Sequence, residues 1–234
     1  NEYAKAFGDR AEIINLDNLD LPFWLFTFKE FCAVIFGSAP DVDEEVDILA
    51  ELIPLAKARY GVNRNRNLEL SVRKDGAKES PIYSVDTPTP YRISDIIDII
   101  DKRMGSLELR HALLPYKRLK ARIESVLLDS RYSFMFGRGA AQDQMAAVLG
   151  RLFRIPVDSK PIAIAELTGI PAETMNVLVS VICRLAFDFA RRTGGRVPIT
   201  IVCEEAHRYI PSDWKLGFEP TRRAIARIAK EGRK

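Results

Sequence analysis

The stretch Val197-Pro198-Ile199-Thr200-Ile201-Val202-Cys203-Glu204-Glu205-Ala206-His207 runs a mostly apolar, β-branched segment into two adjacent carboxylates. A short run rich in Val and Ile predicts a buried parallel strand. Carboxylates at the carboxyl end of such a strand sit where open α/β sheets bind their ligands. Two acids there have the shape of a Walker B element. In that element Glu204 helps hold Mg²⁺ through water, and Glu205 polarises the water that attacks a γ-phosphate. The competing reading is that two acids simply open a helix after a strand. Adjacent carboxylates are costly to desolvate unless a cation or partner offsets them. The other half of such a site is missing, because no G-x-x-x-x-G-K-[ST] occurs in the 234 residues.

Upstream, Pro161 to Ala165 reads as an apolar strand ending in Glu166, with a turn at Gly169. Pro171 to Arg192 then has the pattern of a long helix, apolar on nearly every side and therefore buried, ended by Gly194-Gly195. Strand, helix, strand makes a βαβ unit, which requires parallel strands and a right-handed crossover. This topology sets Glu166 on the same sheet edge as Glu204, as a ligand-side acid or as a turn carboxylate bonded to nearby N–H groups. His207 reads either as a structural or solvated histidine or as a sensor linking the hydrolysis site to neighbouring strands or to DNA. Downstream, Arg223, Arg227, Lys230 and Lys234 share one helical face, and Ala224, Ile225 and Ile228 share another. Such a basic face is a solvated surface, a row of phosphate contacts, or an arginine finger reaching a neighbouring subunit's nucleotide.

The first part of the chain is different in character. Ala11 to Leu16 is a short strand candidate followed by the loop Asp17–Asp20. Helical patterns follow from Phe28 to Phe36, and from Asp41 to Tyr60 with acids in the first turn and Pro54 expected to kink or split it. Asn63 to Pro90 is polar, with a possible hairpin of Leu68–Val72 against Ile82–Val85 around Asp75-Gly76. Ser94 is expected to cap a helix running to Met104, and Pro115 to Asp129 and Gln142 to Phe153 are further helices. The expected organisation is therefore a core segment over 1–27, a mostly helical insertion over 28–129, and the acid-bearing core over 130–234.

Composition narrows the class. The apolar share of 47% and charged share of 29% are those of a globular domain rather than a disordered chain. A net charge of +3 is too small to mark a nucleic-acid binder by itself. Cys32, Cys183 and Cys203 lie far apart in apolar runs, without a C-x-x-C, which fits buried thiols in a reducing cytoplasm. With only His111 and His207, a histidine-rich metal site is excluded. No apolar run reaches the roughly 20 residues of a membrane span. The chain starts at Asn1 and stops at Lys234 inside an amphipathic pattern, so a piece of a longer protein is expected.

Several stretches together resemble one family. These are Asn1-Glu2-Tyr3, Ser133-Phe134-Met135-Phe136-Gly137, Ile162-Ala163-Ile164-Ala165-Glu166-Leu167-Thr168-Gly169, Glu204-Glu205-Ala206-His207-Arg208-Tyr209-Ile210-Pro211 and Ala229-Lys230-Glu231-Gly232-Arg233-Lys234. Their order resembles HerA-type ATPases of the HerA/FtsK group of RecA-like P-loop motors, across essentially the whole chain. The Asn1-Glu2-Tyr3 start is similar to the family's D-x-H-x-E-Y segment, which follows the strand after the Walker A helix. The resemblance implies an α/β fold, a partial RecA-like parallel sheet with a mostly helical insertion, beginning just past the phosphate-binding unit. It implies ATP and Mg²⁺ as cofactors, with Glu204 as the Walker B acid, where aspartate is commoner. Glu205 would be the catalytic glutamate and Arg233 a trans-acting arginine. Glu166 and His207 would lie on the nucleotide side. It further implies a homo-hexameric ring that moves double-stranded DNA, often with a nuclease partner in end processing, in the cytoplasm and away from membranes.

Three rivals stand beside this. A DEAH-type RNA helicase shares the Glu204-Glu205-Ala206-His207 box, but no S-A-T motif follows it. A secretion or conjugation motor would share the core. A non-catalytic scaffold binding a nuclease or DNA would keep the fold without the phosphate cradle.

Overall fold

The structure is a computed structural model that describes residues 2–37, 39–69, 83–106, 113–137, 141–156, 159–213 and 217–232. The chain divides into two compact units, Asn1–Leu21 with Gln144–Lys234, and Pro22–Asp143.

In the first unit, β1 (Ala11–Ile14) and β2 (Ile162–Ala165) pair in parallel, with Ala11 opposite Ile162 and Ile14 opposite Ala165. The Glu166 N–H extends the ladder by donating to the Ile14 carbonyl at 2.7 Å. Parallel neighbours need a long crossover. Here the connection contains the whole second unit and then α7 (Met145–Phe153). Helix α7 ends close against the loop after it. Ile155 N–H donates to the Gly150 carbonyl at 2.8 Å, and a Cβ on Gly150 would stand 2.8 Å from the Ile155 oxygen. Only glycine permits that approach.

The long helix expected over 171–192 forms as α8 (Ala172–Arg192). Its Met175, Val179 and Cys183 recur every four residues and so share one face. That face packs on Ile201, Cys203, Tyr209 and the apolar side of α9 (Glu219–Glu231), namely Ala224, Ile225 and Ile228. Val177, Leu178 and Val181 are buried as well, so α8 is enclosed on more than one side, as its pattern implies. Thr221 of α9 is fully buried and donates its hydroxyl to the Asn176 carbonyl at 2.6 Å, bonding the two helices.

The segment 197–203 departs from expectation. It follows the positive-φ pair Gly194 and Gly195 and joins no ladder among the described residues, where β2 has β1 for a neighbour. The expected pairing of the Glu166 strand with this segment does not form among the described residues, where β2 pairs with β1 alone. Alternate residues behave as a strand's would. Ile201 and Cys203 face the α8 cluster, while Val202 is 76% exposed. A strand needs hydrogen-bonded partners as well as an apolar face, and Pro198 contributes no N–H.

The second unit is helical: α2 (Phe28–Phe36), α3 (Asp43–Glu69), α4 (Ile93–Gly105), α5 (Leu113–Leu128) and the short α6 (Ser133–Phe136). Helix α2 starts at the expected residue because Thr27 and Glu30 form a reciprocal capping box. Leu49, Leu52, Ile53 and Ala56 of α3, Ile96 and Ile100 of α4, and Leu119 and Ile123 of α5 make the core. Two local expectations fail. Helix α3 runs through Pro54 without a break and on to Glu69, because buried neighbours on both sides of Pro54 hold the helical path. Helix α4 begins at Ile93 after Arg92 with no side-chain cap, so Ser94 lies inside the first turn. The hairpin expected over 68–85 falls largely on residues 70–82, outside the described ones; its first two residues, Leu68 and Glu69, end α3.

Arg103 links three helices of this unit. It makes a bidentate pair with Glu51 at 2.6 and 2.8 Å and donates to the Tyr116 hydroxyl at 3.1 Å. Lys57 is buried at 2% exposure and donates to the carbonyls of Ser84, Val85 and Thr87 at 3.0, 2.8 and 2.7 Å. The chain is thus α/β, with a small parallel sheet and mostly helical content, consistent with a partial RecA-like domain.

Candidate functional site

The two acids sit on a tight turn that leaves the segment 197–203. Glu205 is in the left-handed region at φ 49°, ψ 39°. That conformation costs a non-glycine residue about 1–2 kcal/mol, so something must hold it. Arg208 N–H donates to the Glu205 carbonyl at 2.9 Å, and Ile210 N–H donates to that of Ala206 at 2.8 Å, closing a 3₁₀ turn over Ala206–Arg208. The Tyr209 hydroxyl donates to the Glu204 carbonyl and so fixes the peptide entering the turn. Tyr209 is itself 8% exposed within the α8–α9 cluster, where burial pushes its phenol up to about 12.

Both carboxylates face solvent. The Glu205 carboxylate lies 3.4 Å from Nδ1 of His207, with both side chains exposed. Hydrogen bonding to Glu204, and then the negative charge of Glu204, raise the phenol of Tyr3, on α1 (Glu2–Phe7), above its ordinary value. Beneath the acids, the Cys183 and Cys203 thiols hydrogen-bond each other, and burial pushes Cys183 up to about 12. The three cysteines are free thiols.

Glu204, Glu205 and His207 therefore share one short turn. Glu166 is half-buried at the end of β2, where its own N–H belongs to the β1–β2 ladder. Arg233 and Lys234 lie outside the described residues. The basic face of α9 is partly committed within the chain. Arg223 pairs with Glu219 at 2.5 Å, and Arg227 pairs with Asp188 at 3.7 Å while its guanidinium lies 4.2 Å from the centre of the Phe187 ring. Two residues of the turn's surroundings escape sequence reasoning, Tyr3 and Tyr209. Their only signal is their place in the Asn1-Glu2-Tyr3 and Arg208-Tyr209-Ile210-Pro211 stretches.

Mg²⁺ and ATP fit these residues in part. Glu204 and Glu205 offer exposed oxygens that can accept from the waters of a magnesium ion. No group of three or more His, Cys, Asp and Glu side chains converges on a cation position among the described residues. The sequence also holds no glycine-rich loop with a lysine to cradle phosphates.

The match to a known family places this α/β core in an ATPase domain of the HerA/FtsK type. The model of the helicase HerA central domain matches residues 1–186, and the chain belongs to that family. The match ends at Ala186, so the turn over 204–209 lies beyond it. No curated protein matches the chain. Among the described residues, no helix is long and apolar enough to cross a membrane.

Proposed function

We propose that this chain supplies the acidic half of the ATP-hydrolysis site of a HerA-type motor that moves double-stranded DNA in DNA end processing. Glu204 accepts from the waters of Mg²⁺, and Glu205 orients and polarises the attacking water. His207 reports the state of Glu205, and Glu166 is a further nucleotide-side acid. Arg233 is the arginine that completes a neighbouring subunit's site in a homo-hexameric ring. A guanidinium suits that task, because it stays charged and meets phosphate oxygens in a bidentate fork. A nuclease is the partner in end processing.

The observation that carries this reading is the held left-handed backbone at Glu205 beside two solvent-facing carboxylates. Sparsely populated backbone states concentrate where geometry is fixed for function.

The test uses the complete protein that carries these residues. Glu205→Gln keeps the shape of the side chain but not its basicity, so ATP binding persists and kcat falls about a hundredfold or more. Near-normal turnover by this variant sinks the assignment.

A further inference from the structure

We propose that the outer face of α5 is an interface between two copies of this chain, docked antiparallel about a two-fold axis at Ala121. Helix α5 has two opposed faces. Tyr116, Leu119 and Ile123 are buried against the other helices of its unit. On the opposite side Leu114, Ala121 and Leu128 recur every seven residues, close to two full turns, so they line up along the helix. Solvent reaches all three: Leu114 is 56% exposed and Leu128 87%, and Ala121 is exposed between them. A leucine standing alone on a surface needs no explanation. An apolar row at heptad spacing is the seam of a helix pair.

Symmetry and charge say what covers the row. Turned end for end about Ala121, it is its own complement. Leu114 meets Leu128 of the second copy, Leu128 meets Leu114, and the two small alanines meet where the helices cross. Lys117 and Glu124 flank the row on one side, both exposed and again seven residues apart. A two-fold axis normal to the plane of the two helices keeps each flank on its own side. Lys117 therefore faces Glu124 of the second copy, and Glu124 faces its Lys117, so one surface makes two ion pairs. The neighbouring cations of α5 are engaged within the chain. Lys120 holds Asp101 at 2.6 Å, Arg122 lies 5.8 Å from the centre of the Phe36 ring, and Arg118 stands 3.9 Å from Glu45. Glu124 stands 3.8 Å from Lys120, too far for a hydrogen bond, so it can turn outward.

Two leucines and an alanine per copy fall short of the roughly 1,200–2,000 Å² that a stable interface buries. The contact is weak singly and strengthens where several act together. An isologous contact does not join neighbours around a ring of cyclic symmetry. In the ring proposed above it ties one ring to another, and it stands whether or not the Walker B reading does.

Sedimentation velocity of the complete protein containing residues 1–234, over a concentration series at low salt, reads the assembly, and circular dichroism checks the fold. The parent passes to a species of twice the mass as its concentration rises. Leu128→Glu, at a position that packs on nothing in the core, raises the concentration of half-association about tenfold or more. Lys117→Glu sets like charges opposite each other and weakens association by about the same factor. Adding Glu124→Lys to it recreates the pairs reversed and restores the parent's behaviour. A parent of constant mass throughout the series overturns the proposal, as does a doubling that Leu128→Glu leaves unchanged. If Lys117→Glu weakens association and Glu124→Lys fails to restore it, α5 meets a different surface, and the two-fold pairing is refuted.

Discussion

Replacing Lys57 tests the account of the helical unit most sharply, because opposing effects meet at one atom. The ammonium is buried and donates to three carbonyls of the turn over Ser84–Thr87. Each buried acceptor left without a donor costs about 1–3 kcal/mol. Residues of this turn are half-buried or exposed, so water reaches them and the low end applies, about 1 kcal/mol each and about 3 kcal/mol together. Against this, burial works on the charge and lowers Lys57 to about 8, an effect that the charge of Asp86 partly counters. Methionine escapes that penalty, since exchanging a buried charge for an apolar group recovers stability. The net loss for Lys57→Met is then about 2 kcal/mol, the lost bonds outweighing the recovered desolvation. Lys57→Ala also loses packed methylenes at about 0.8 kcal/mol each, adding about 2 kcal/mol.

Urea denaturation in a Trp214→Phe background, read by the fluorescence of buried Trp24, measures this. A loss of 2 kcal/mol moves the midpoint by about 1 M. The pH dependence supplies a sign. Because the folded state lowers the Lys57 pKa from 10.5 to about 8, the unfolded chain binds the extra proton between those values. Stability from this group therefore rises with pH across that window. The deficit of Lys57→Met against the parent grows from pH 8 to pH 10.5, a difference in which the other titrating groups cancel. A methionine variant as stable as the parent, or a deficit that shrinks with pH, refutes the reasoning.

Two further outcomes follow from the same kind of argument. The Arg103 guanidinium, by its hydrogen bonds to Glu51, holds that carboxyl below its usual value, so the pair contributes stability above about pH 4.5 and loses it as the pH falls. Glu51 is largely exposed, so the contribution is about 0.2–1 kcal/mol; Glu51→Gln should remove it and flatten the acid limb of a thermal-melt series between pH 5 and pH 3. Thr221→Val keeps the shape but deletes the buried donor to the Asn176 carbonyl, costing about 1–3 kcal/mol. Hydrogen exchange should then quicken in α9 before α8, and equal protection in parent and variant would contradict the bond's role.

Much of this architecture is legible in the sequence where the cause is local. The capping pair Thr27 and Glu30 fixes the start of α2, and the four-residue recurrence of Met175, Val179 and Cys183 announces the face of α8. The failures are non-local. Val197 to Cys203 has the composition of a strand, but β-propensity expresses fit to a neighbouring pleated surface rather than a backbone preference. Without a paired neighbour the segment packs by alternate side chains alone. Pro54 shows the same override, since burial of Leu52, Ile53 and Ala56 keeps α3 on course through a residue that ordinarily breaks it. At the site, the adjacency of Glu204 and Glu205 is plain in the sequence, whereas the left-handed backbone of Glu205 and the phenols on Glu204 are products of tertiary structure.

The family match and the acid pair occupy different stretches of the chain. The family assignment draws on residues 1–186 and owes nothing to the acid pair. The chemistry of the acid pair draws on residues beyond 186 and owes nothing to the family match. Tyr3 belongs to the matched stretch, and Glu204, which raises its phenol above the ordinary value, lies outside it. Tyr209 holds the same residue from the α8–α9 core through the carbonyl before the left-handed turn. The Tyr209 grip on the Glu204 carbonyl and a Glu205 backbone held at about 1–2 kcal/mol of strain together fix the direction in which the chain leaves the acid pair.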